Sequence, residues 1–441
     1  MIIVAGEALI DLLPVPGSDR QFTARPGGAS LNVAVALARL GQPASFLGRI
    51  GSDAFGRMLW EQLEQAGVDT AMTVPAAETT TLGVTSLDDK GKAEYIFYAN
   101  GTADWAWTER EVPRELPPGA RALYLGGLAL RLMPGGALLE GLMRRVRRQG
   151  SPLVFYDPNV RSGFGFVTAA ERDRVERQLQ LAHVVKASED DIALLYPGRD
   201  FREIAAGWQR MTSGIIIVTL GPAGAYALTS AGAEIKVPPV DVEVVDTVGA
   251  GDAFSAAMLD GLMTELPDFG DPAVGVARIG EQTTRRLLER ASVSAAYTCG
   301  RAGGESVDAR TLDYLIRRAH PEQRAPEIVS DPEVVLRRDL SGTSLYHPGR
   351  HDMGPRLRGV AVDAAEQDLG GQRADGGDVL RDDGDRRVEQ VGERHVVEAH
   401  EGGLVLGAMR AQRPDGAEGN QVLPAEQGGR RLRPGEQIGN G

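Results

Sequence analysis

The residues with the clearest chemical potential form the run Val244-Val245-Asp246-Thr247-Val248-Gly249-Ala250-Gly251-Asp252-Ala253-Phe254. It reads as an apolar strand end, a turn of small residues and then a helix whose buried face is marked by Phe254, Met258 and Leu262 at every fourth position. Glycines at 249 and 251 let backbone N–H groups approach an anion closely, and the positive end of the helix dipole adds to the attraction. The turn therefore has the composition of a phosphate cradle. Asp252 at its mouth would repel a phosphate that was merely being bound, but an ionised Asp can accept the proton of an attacking hydroxyl while the amides stabilise a transferring phosphoryl group. The competing reading is an ordinary helix start with an acidic residue in its first turn.

A second turn, Pro26-Gly27-Gly28-Ala29-Ser30-Leu31-Asn32, precedes a small apolar helix read as Val33 to Leu40 and closed by Gly41. Its paired glycines permit close backbone approach, and Asn32 offers a donor and acceptors to a polyol. Short β-branched runs at 2–5, 44–47, 122–125, 153–156, 183–185 and 215–219 alternate with segments at helical spacing. That rhythm predicts a mostly parallel sheet covered on both faces. Residues 11–26 and 79–102 break it with alternating patterns and turn signals, and are read as a small β-sheet lid. From about residue 319 to 441 the chain turns Gly-, Arg-, Asp- and Glu-rich and its apolar periodicity fades. Between Asp331 and Gly441 there is no Phe, Trp or Lys. Such a segment buries too little apolar surface to offset its ordering entropy, and reads as a solvated extension or the product of a shifted reading frame rather than an interaction tail.

Composition excludes several function classes. The 441 residues are 42% apolar with only 5% aromatics and a formal charge of −13, so a surface built to neutralise nucleic-acid phosphates or anionic lipid is not expected. No apolar run approaches the roughly 20 residues needed to cross a bilayer. The single cysteine, Cys299, rules out an intramolecular disulfide and a multi-thiolate zinc site within one chain, fits a reducing cytoplasm, and is read as a buried core thiol. Only His183 of six histidines precedes residue 320, and its apolar strand suggests a packed imidazole. Neither a P-loop nor the Gly-x-Gly-x-x-Gly of a dinucleotide fold is present, which removes P-loop kinases and leaves little support for an NAD-dependent oxidoreductase.

With Gly27-Gly28 and Asn32 near the amino terminus and Asp246 to Asp252 near the carboxy end of the periodic region, the chain resembles the ribokinase-like, or phosphofructokinase B, family of sugar kinases over about residues 1–318. The resemblance implies a Rossmann-like α/β domain with a β-sheet lid, ATP as phosphoryl donor and a sugar or nucleoside hydroxyl as acceptor. It assigns the catalytic base to Asp252 and the anion hole to Gly249, Ala250 and Gly251. Sugar hydroxyls would be met by Asp11, Gly27, Gly28 and Asn32, with Arg161 of Asp157-Pro158-Asn159-Val160-Arg161 meeting phosphate or sugar, or merely pairing with a carboxylate. Thr219, Gly221 and Gly224 match the family's nucleotide loop. Lys186 and Ser188 fall in the nucleotide-side segment, where Ser188-x-x-Asp191 replaces the usual Asn-x-x-Glu. Asp191 would then organise Mg2+, directly or through water, unless Ser188 is simply a helix cap.

The resemblance also implies a monovalent cation such as K+ near the loop carrying Gly303 and Gly304, and a homodimer formed through the lid. The Gly6-Glu7-Ala8-Leu9-Ile10-Asp11 opening and the 157–161 segment look most like fructokinases, so phosphorylation of a primary hydroxyl of fructose is the leading expectation. The Gly27–Asn32 string departs from the commoner fructokinase pattern and keeps 2-keto-3-deoxygluconate, ribose and nucleosides open. A sugar- or nucleotide-binding regulatory protein that has lost turnover is the alternative of another class.

Overall fold

The computed structural model describes residues 1–15, 18, 20–87, 93–161, 167–266, 270–319 and 396–398. The chain opens with β1 (Ile2–Ala5), leaves it for the hairpin β2 (Leu9–Pro14) and β3 (Gln21–Gly27), and returns through α1 (Ala29–Arg39) to β4 (Ala44–Leu47). A short pair, β5 (Arg49–Gly51) and β6 (Val74–Ala76), brackets α2 (Ala54–Ala66) before a second excursion, β7 (Leu82–Leu87) and β8 (Ala93–Tyr98). Regular alternation follows: β9 (Ala122–Gly126), α3 (Gly135–Gln149), β10 (Leu153–Asp157), α4 (Ala169–Leu179), β11 (Val184–Ser188), α5 (Glu189–Leu195), α6 (Phe201–Thr212) and β12 (Ile215–Thr219). The hairpin β13 (Ala225–Leu228) and β14 (Glu234–Val237) precedes α7 (Ala250–Glu265), α8 (Pro272–Ala277), α9 (Glu281–Cys299) and α10 (Ala309–Ala319). Apart from β15 (Val396–Glu398), the extension beyond residue 319 lies outside the described residues.

The larger sheet has the order β14-β13-β12-β11-β10-β9-β1-β4, parallel from β12 to β4 and closed at one edge by the antiparallel hairpin. Its parallel strands are buried on both sides, as a parallel sheet between helical layers requires. On β1, Ile2 and Val4 enter one buried cluster while Ile3 and Ala5 enter the other. Because β1 has β4 on one side and β9 on the other, the chain changes direction across it. Ligands of open α/β sheets bind outside the carboxyl ends of the strands at such a switch. The same edge carries Glu7 after β1, Asp157 at the end of β10, Ser188 at the end of β11 and Thr219 at the end of β12.

A second sheet, ordered β15-β3-β2-β7-β8, is built from the two excursions with β15 of the extension paired antiparallel to β3; β2 pairs antiparallel with β3 and parallel with β7. Helix α7 packs between α1 and α9 and is buried from Asp252 to Met263, well beyond the single stripe that Phe254, Met258 and Leu262 suggested. Three local expectations are corrected. Helix α1 begins at Ala29 rather than Val33, because Gly28 takes the positive φ of 102° that turns the chain and the Ala29 N–H is met by the Glu7 carboxylate at 3.1 Å. Val244 and Val245 do not end a strand; they are 61% and 60% exposed in an extended connection whose Val245 and Asp246 N–H groups bond the Cys299 carbonyl. Cys299 itself, the last residue of α9, is half-buried rather than a core thiol.

His183, by contrast, is the packed imidazole expected: its Nδ1 accepts from the Val154 N–H at 2.9 Å, and burial lowers its pKa to about 4, with Arg147 adding to the shift. The carboxyl-edge geometry depends on α7 keeping its place. Leu262 on that helix is fully buried, so Leu262→Ala should lower the unfolding free energy by about 2–5 kcal/mol, read from urea denaturation. A loss below about 1 kcal/mol would mean that the helix is not seated in the core as described.

Candidate active site

Gly249 caps α7 in the left-handed region (φ 74°), where a β-carbon would be strained, and directs the first turn of the helix toward the carboxyl edge of the sheet. The N–H groups of a first helical turn have no intrahelical partner. That of Ala250 makes a long contact of 3.3 Å with the Thr247 carbonyl, and the next two, of Gly251 and Asp252, follow at the same positive helix end. Asp252 is buried, and one of its oxygens, Oδ2, accepts a 2.8 Å bond from the Asn32 side-chain amide. Two residues 220 apart in sequence are thereby joined. Burial pushes the Asp252 pKa upward, while the Asn32 bond and the charges of Lys186 and Arg161 act against that rise.

Lys186, at the middle of β11, lies under the same turn. Its ammonium is 2.9 Å from Asp157 Oδ2, and a β-carbon on Gly251 would come within 3.2 Å of it. Burial disfavours the charged ammonium, but Asp157, Asp191 and Asp252 outweigh it and hold its pKa above the usual lysine value. The buried cation thus serves two ends at once: it neutralises Asp157, and it sets a positive charge beside the anion turn. Ser255, one turn along α7, donates to the Gly251 carbonyl at 3.0 Å and also approaches Asp157.

Acceptor-side residues converge on a cleft lined by Asp11, Arg25, Gly27, Asn32, Val248 and Gly303. The carboxylate of Asp11 is seated between two glycines: a β-carbon on Gly27 would lie 2.2 Å from Oδ2, and one on Gly83 would lie 2.8 Å from Oδ1. Burial raises the Asp11 pKa to about 7; Asp252 raises it further and Arg161 opposes both. Among the described residues the Arg161 guanidinium bonds the Val160 carbonyl at 3.3 Å, and its charge acts on Asp11 and Asp252 without an ion pair to either. Gly28 supplies backbone room rather than a contact, since a β-carbon there would come within 2.9 Å of the Glu7 carbonyl.

The nucleotide-side residues divide. Thr219 ends β12 on the carboxyl edge, and Gly221 and Gly224, at φ of 52° and 93°, close an exposed 3-10 turn into β13. Ser188 is a helix cap, as the alternative reading held. It accepts from the Asp191 N–H at 3.0 Å, and Asp191 Oδ2 returns bonds to the Ser188 N–H and hydroxyl, both at 2.7 Å. The other oxygen of Asp191 accepts from the Val160 N–H at 2.7 Å. With both oxygens engaged and the side chain buried, Asp191 straps α5 to the 157–161 segment rather than presenting an open carboxylate. Among the described residues no three acidic, histidine or cysteine side chains converge as a metal cluster.

Sequence reasoning passed over Glu7, Arg25 and Asp104. Arg25 was visible only through strand register, because it stands directly opposite Asp11 in the β2–β3 pair. Glu7 accepts from the N–H groups of Ala29 and Ala129, both at 3.1 Å, tying the Gly27-Gly28 turn to the end of β9.

Residues 1–310 match the family model described as pfkB family carbohydrate kinase. The chain belongs to that family. The fructokinase of Rhizobium leguminosarum bv. trifolii is 34% identical over 292 residues, spanning 65% of this chain and 86% of its relative. Among solved structures, the Xylella fastidiosa fructokinase with bound ATP aligns at a TM-score of 0.64 with 27% identity, covering 72% of this chain and 98% of that one. The Vibrio cholerae O395 fructokinase, bound to fructose, ADP and a calcium ion, aligns at 0.61 with 26% identity over 71% and 98% of the two chains. The protein is therefore an ATP-dependent sugar kinase of the pfkB family. Among the described residues no helix is long and apolar enough to cross a membrane.

In this kinase the Asp11 seat supplies a sharp test. Gly27→Ala places a methyl where the carboxylate lies, and should raise the KM for the sugar at least tenfold while the KM for ATP changes less than threefold, by steady-state kinetics. Equal effects on both constants would show that the Gly27 turn does not act through Asp11.

Proposed function

We propose that the protein transfers the γ-phosphoryl group of ATP to a primary hydroxyl of fructose, with Asp252 as the catalytic base. The observation that carries this reading is the Asn32–Asp252 bond. It joins Asp252, in the first turn of α7, to a residue of the acceptor turn that holds Oδ2. A hydroxyl oriented by Asp11 and Asn32 would give its proton to Asp252 as its oxygen bonds to the γ-phosphorus and the bond from phosphorus to the β–γ bridging oxygen breaks, the electron pair leaving with ADP. The first-turn amides of α7, from Gly249 to Gly251, and the buried Lys186 ammonium face the charge of the transferring group. Arg161 and Arg25 add cations on the acceptor side.

Mg2+ is the divalent ion we assign to the nucleotide, where it would neutralise phosphate charge. The donor set fits an ion held mainly by phosphates and water, since Asp191 is already engaged and no three-carboxylate cluster forms among the described residues. Fructose is favoured over the other acceptors by the fructokinase relatives and by the resemblance of the Gly6–Asp11 opening to fructokinases. The second sheet, which contributes Asp11 and Arg25, acts in this reading as a lid that covers the sugar and excludes water. A second copy of the chain is the partner proposed for its outer strand: Ile96 and Tyr98 on the edge strand β8 are 52% and 60% exposed. Sedimentation should then give a dimer that Ile96→Glu converts to monomer. We place the enzyme in a reducing cytoplasm, in keeping with its single cysteine.

The test is ADP release with magnesium-ATP across fructose, 2-keto-3-deoxygluconate, ribose and adenosine. Fructose should give the highest kcat/KM, and Asp252→Ala should lower kcat about 100- to 10,000-fold while ATP binding, read by calorimetry, stays within a few fold. A better acceptor among the other three would reassign the substrate. An Asp252→Ala variant with undiminished turnover would overturn the base assignment.

A further inference from the structure

The lid sheet joins the main domain through strands whose crossing points meet at one fully buried carboxyl group, Asp104. Its Oδ1 accepts from the N–H of Ala8, which lies between β1 and β2, at 2.8 Å. Its Oδ2 meets the hydroxyl of Thr81, the residue that enters β7. Thr81 Oγ1 is in turn 2.6 Å from Thr102 Oγ1, and Thr102 Oγ1 is 3.1 Å from the carbonyl of Ala99, where the chain leaves β8. Thr81, Thr102 and Asp104 are all buried. One chain of oxygen contacts therefore links Asp104, Thr81, Thr102 and Ala99.

Hydrogen counting decides the state of that chain. Three oxygen–oxygen contacts need three hydrogens, and the two threonine hydroxyls supply only two. An ionised Asp104 would leave two lone pairs facing each other in a buried site, a costly arrangement. A protonated Asp104 completes the series: its O–H donates to Thr81, Thr81 to Thr102, and Thr102 to the Ala99 carbonyl. The same count gives the opposite answer for Glu7, next to Ala8, whose oxygens among the described residues accept from N–H groups and suit the anion.

We propose that Asp104 is a positioning residue of the lid and acts as a neutral carboxylic acid, so that the hinge geometry of the acceptor site is linked to one proton. The proposal rests on the lid reading above for its kinetic consequence, but not for its protonation state. The groups facing Asp104 are consistent with it. Burial raises its pKa to about 7, and contact with the Thr81 hydroxyl, the Ala8 N–H and the charge of Arg49 on β5 pull against that rise without cancelling it. Arg49 is itself paired with Glu78 at 3.1 Å and Glu111 at 3.3 Å, and donates to the Ala103 carbonyl at 2.9 Å. Glu7, in the β1–β2 connection and also raised to about 7 by burial first, interacts electrostatically with Asp104. The sign follows: the proton is present below about 7, and the chain loses it as pH rises through that value.

The experiment is a carboxyl 13C NMR titration of the full-length protein labelled at aspartate, with the Asp104 signal assigned by its loss in Asp104→Asn, beside kinetics of three variants. Asp104 should titrate more than two pH units above an ordinary aspartate. Asp104→Asn keeps an oxygen for Ala8 and gives an N–H to Thr81, so it should hold the sugar KM within threefold of wild type at pH 6.5 and abolish the rise in that KM between pH 7 and 8.5. Asp104→Ala and Thr81→Val break the chain and should raise the sugar KM at least tenfold, with acceptor-free ATP hydrolysis increased relative to turnover. An ordinary titration of Asp104, or an Asp104→Asn variant as impaired as Asp104→Ala, would overturn the proposal. A raised titration with unchanged sugar KM in all three variants would overturn the hinge role and count against the lid reading itself.

Discussion

Keeping an ionisable carboxyl in the buried first turn of an apolar helix is the constraint from which most of the site follows. Such a group is destabilised by desolvation unless hydrogen bonds and opposite charge compensate. The helix dipole of α7, the Asn32 amide and the Lys186 ammonium are the compensating groups around Asp252, and each comes from a different part of the chain. Asn32 requires α1 to lie against α7, Lys186 requires β11 to run under the turn, and the turn itself requires a glycine at 249. Lys186 in turn needs a partner for its own burial, and Asp157 on the neighbouring strand β10 provides it. Removing one member of such a buried pair leaves an uncompensated charge, which makes the network hard to change piecemeal.

The candidate site was largely legible in sequence because the residues proposed to meet the reacting atoms sit in short contiguous turns. The Gly249–Asp252 string and the Gly27–Asn32 string each place glycine and a polar side chain within a few positions, so local backbone rules suffice to read them. The alternating apolar runs likewise announced a covered parallel sheet, because strands buried on both faces have little choice of residue. What sequence could not reveal depends on separation. Glu7, Asp104 and the Lys186–Asp157 pair acquire meaning only from partners 22 to 122 residues away. Ser188 and Asp191 were ambiguous for another reason: a capping box and a cation-organising segment use the same residue types at the same spacing, and the structure shows the capping box together with the Val160 bond. Val244 and Val245 misled because β-branched residues suit an extended connection as readily as a strand, and exposure is invisible in a local pattern.

Beside an apolar layer that takes in Leu9 and Ile10, the two sheets meet through directional polar contacts, and these bear on how a sugar kinase can be selective. Apolar packing tolerates small slides, whereas hydrogen bonds fix distance and direction within narrow limits. At this junction Asp53 holds both the Thr80 N–H and hydroxyl, Asp104 holds Ala8 and Thr81, and Glu7 holds Ala29 and Ala129. These carboxyl groups tie down the segments by which the chain enters and leaves the second sheet, so the positions of Asp11 and Arg25 on that sheet are set relative to Asn32 on α1 and Asp252 on α7. A polyol offers several hydroxyls of similar reactivity, and discrimination among them comes from which one the recognition groups leave beside the base. Sites that hydrogen-bond a substrate hydroxyl reject analogues lacking it strongly, because their own buried polar groups are then left unpaired. Selectivity of that kind needs recognition groups and base to be held at fixed separation, and the polar staples at the junction are the part of this fold that holds them.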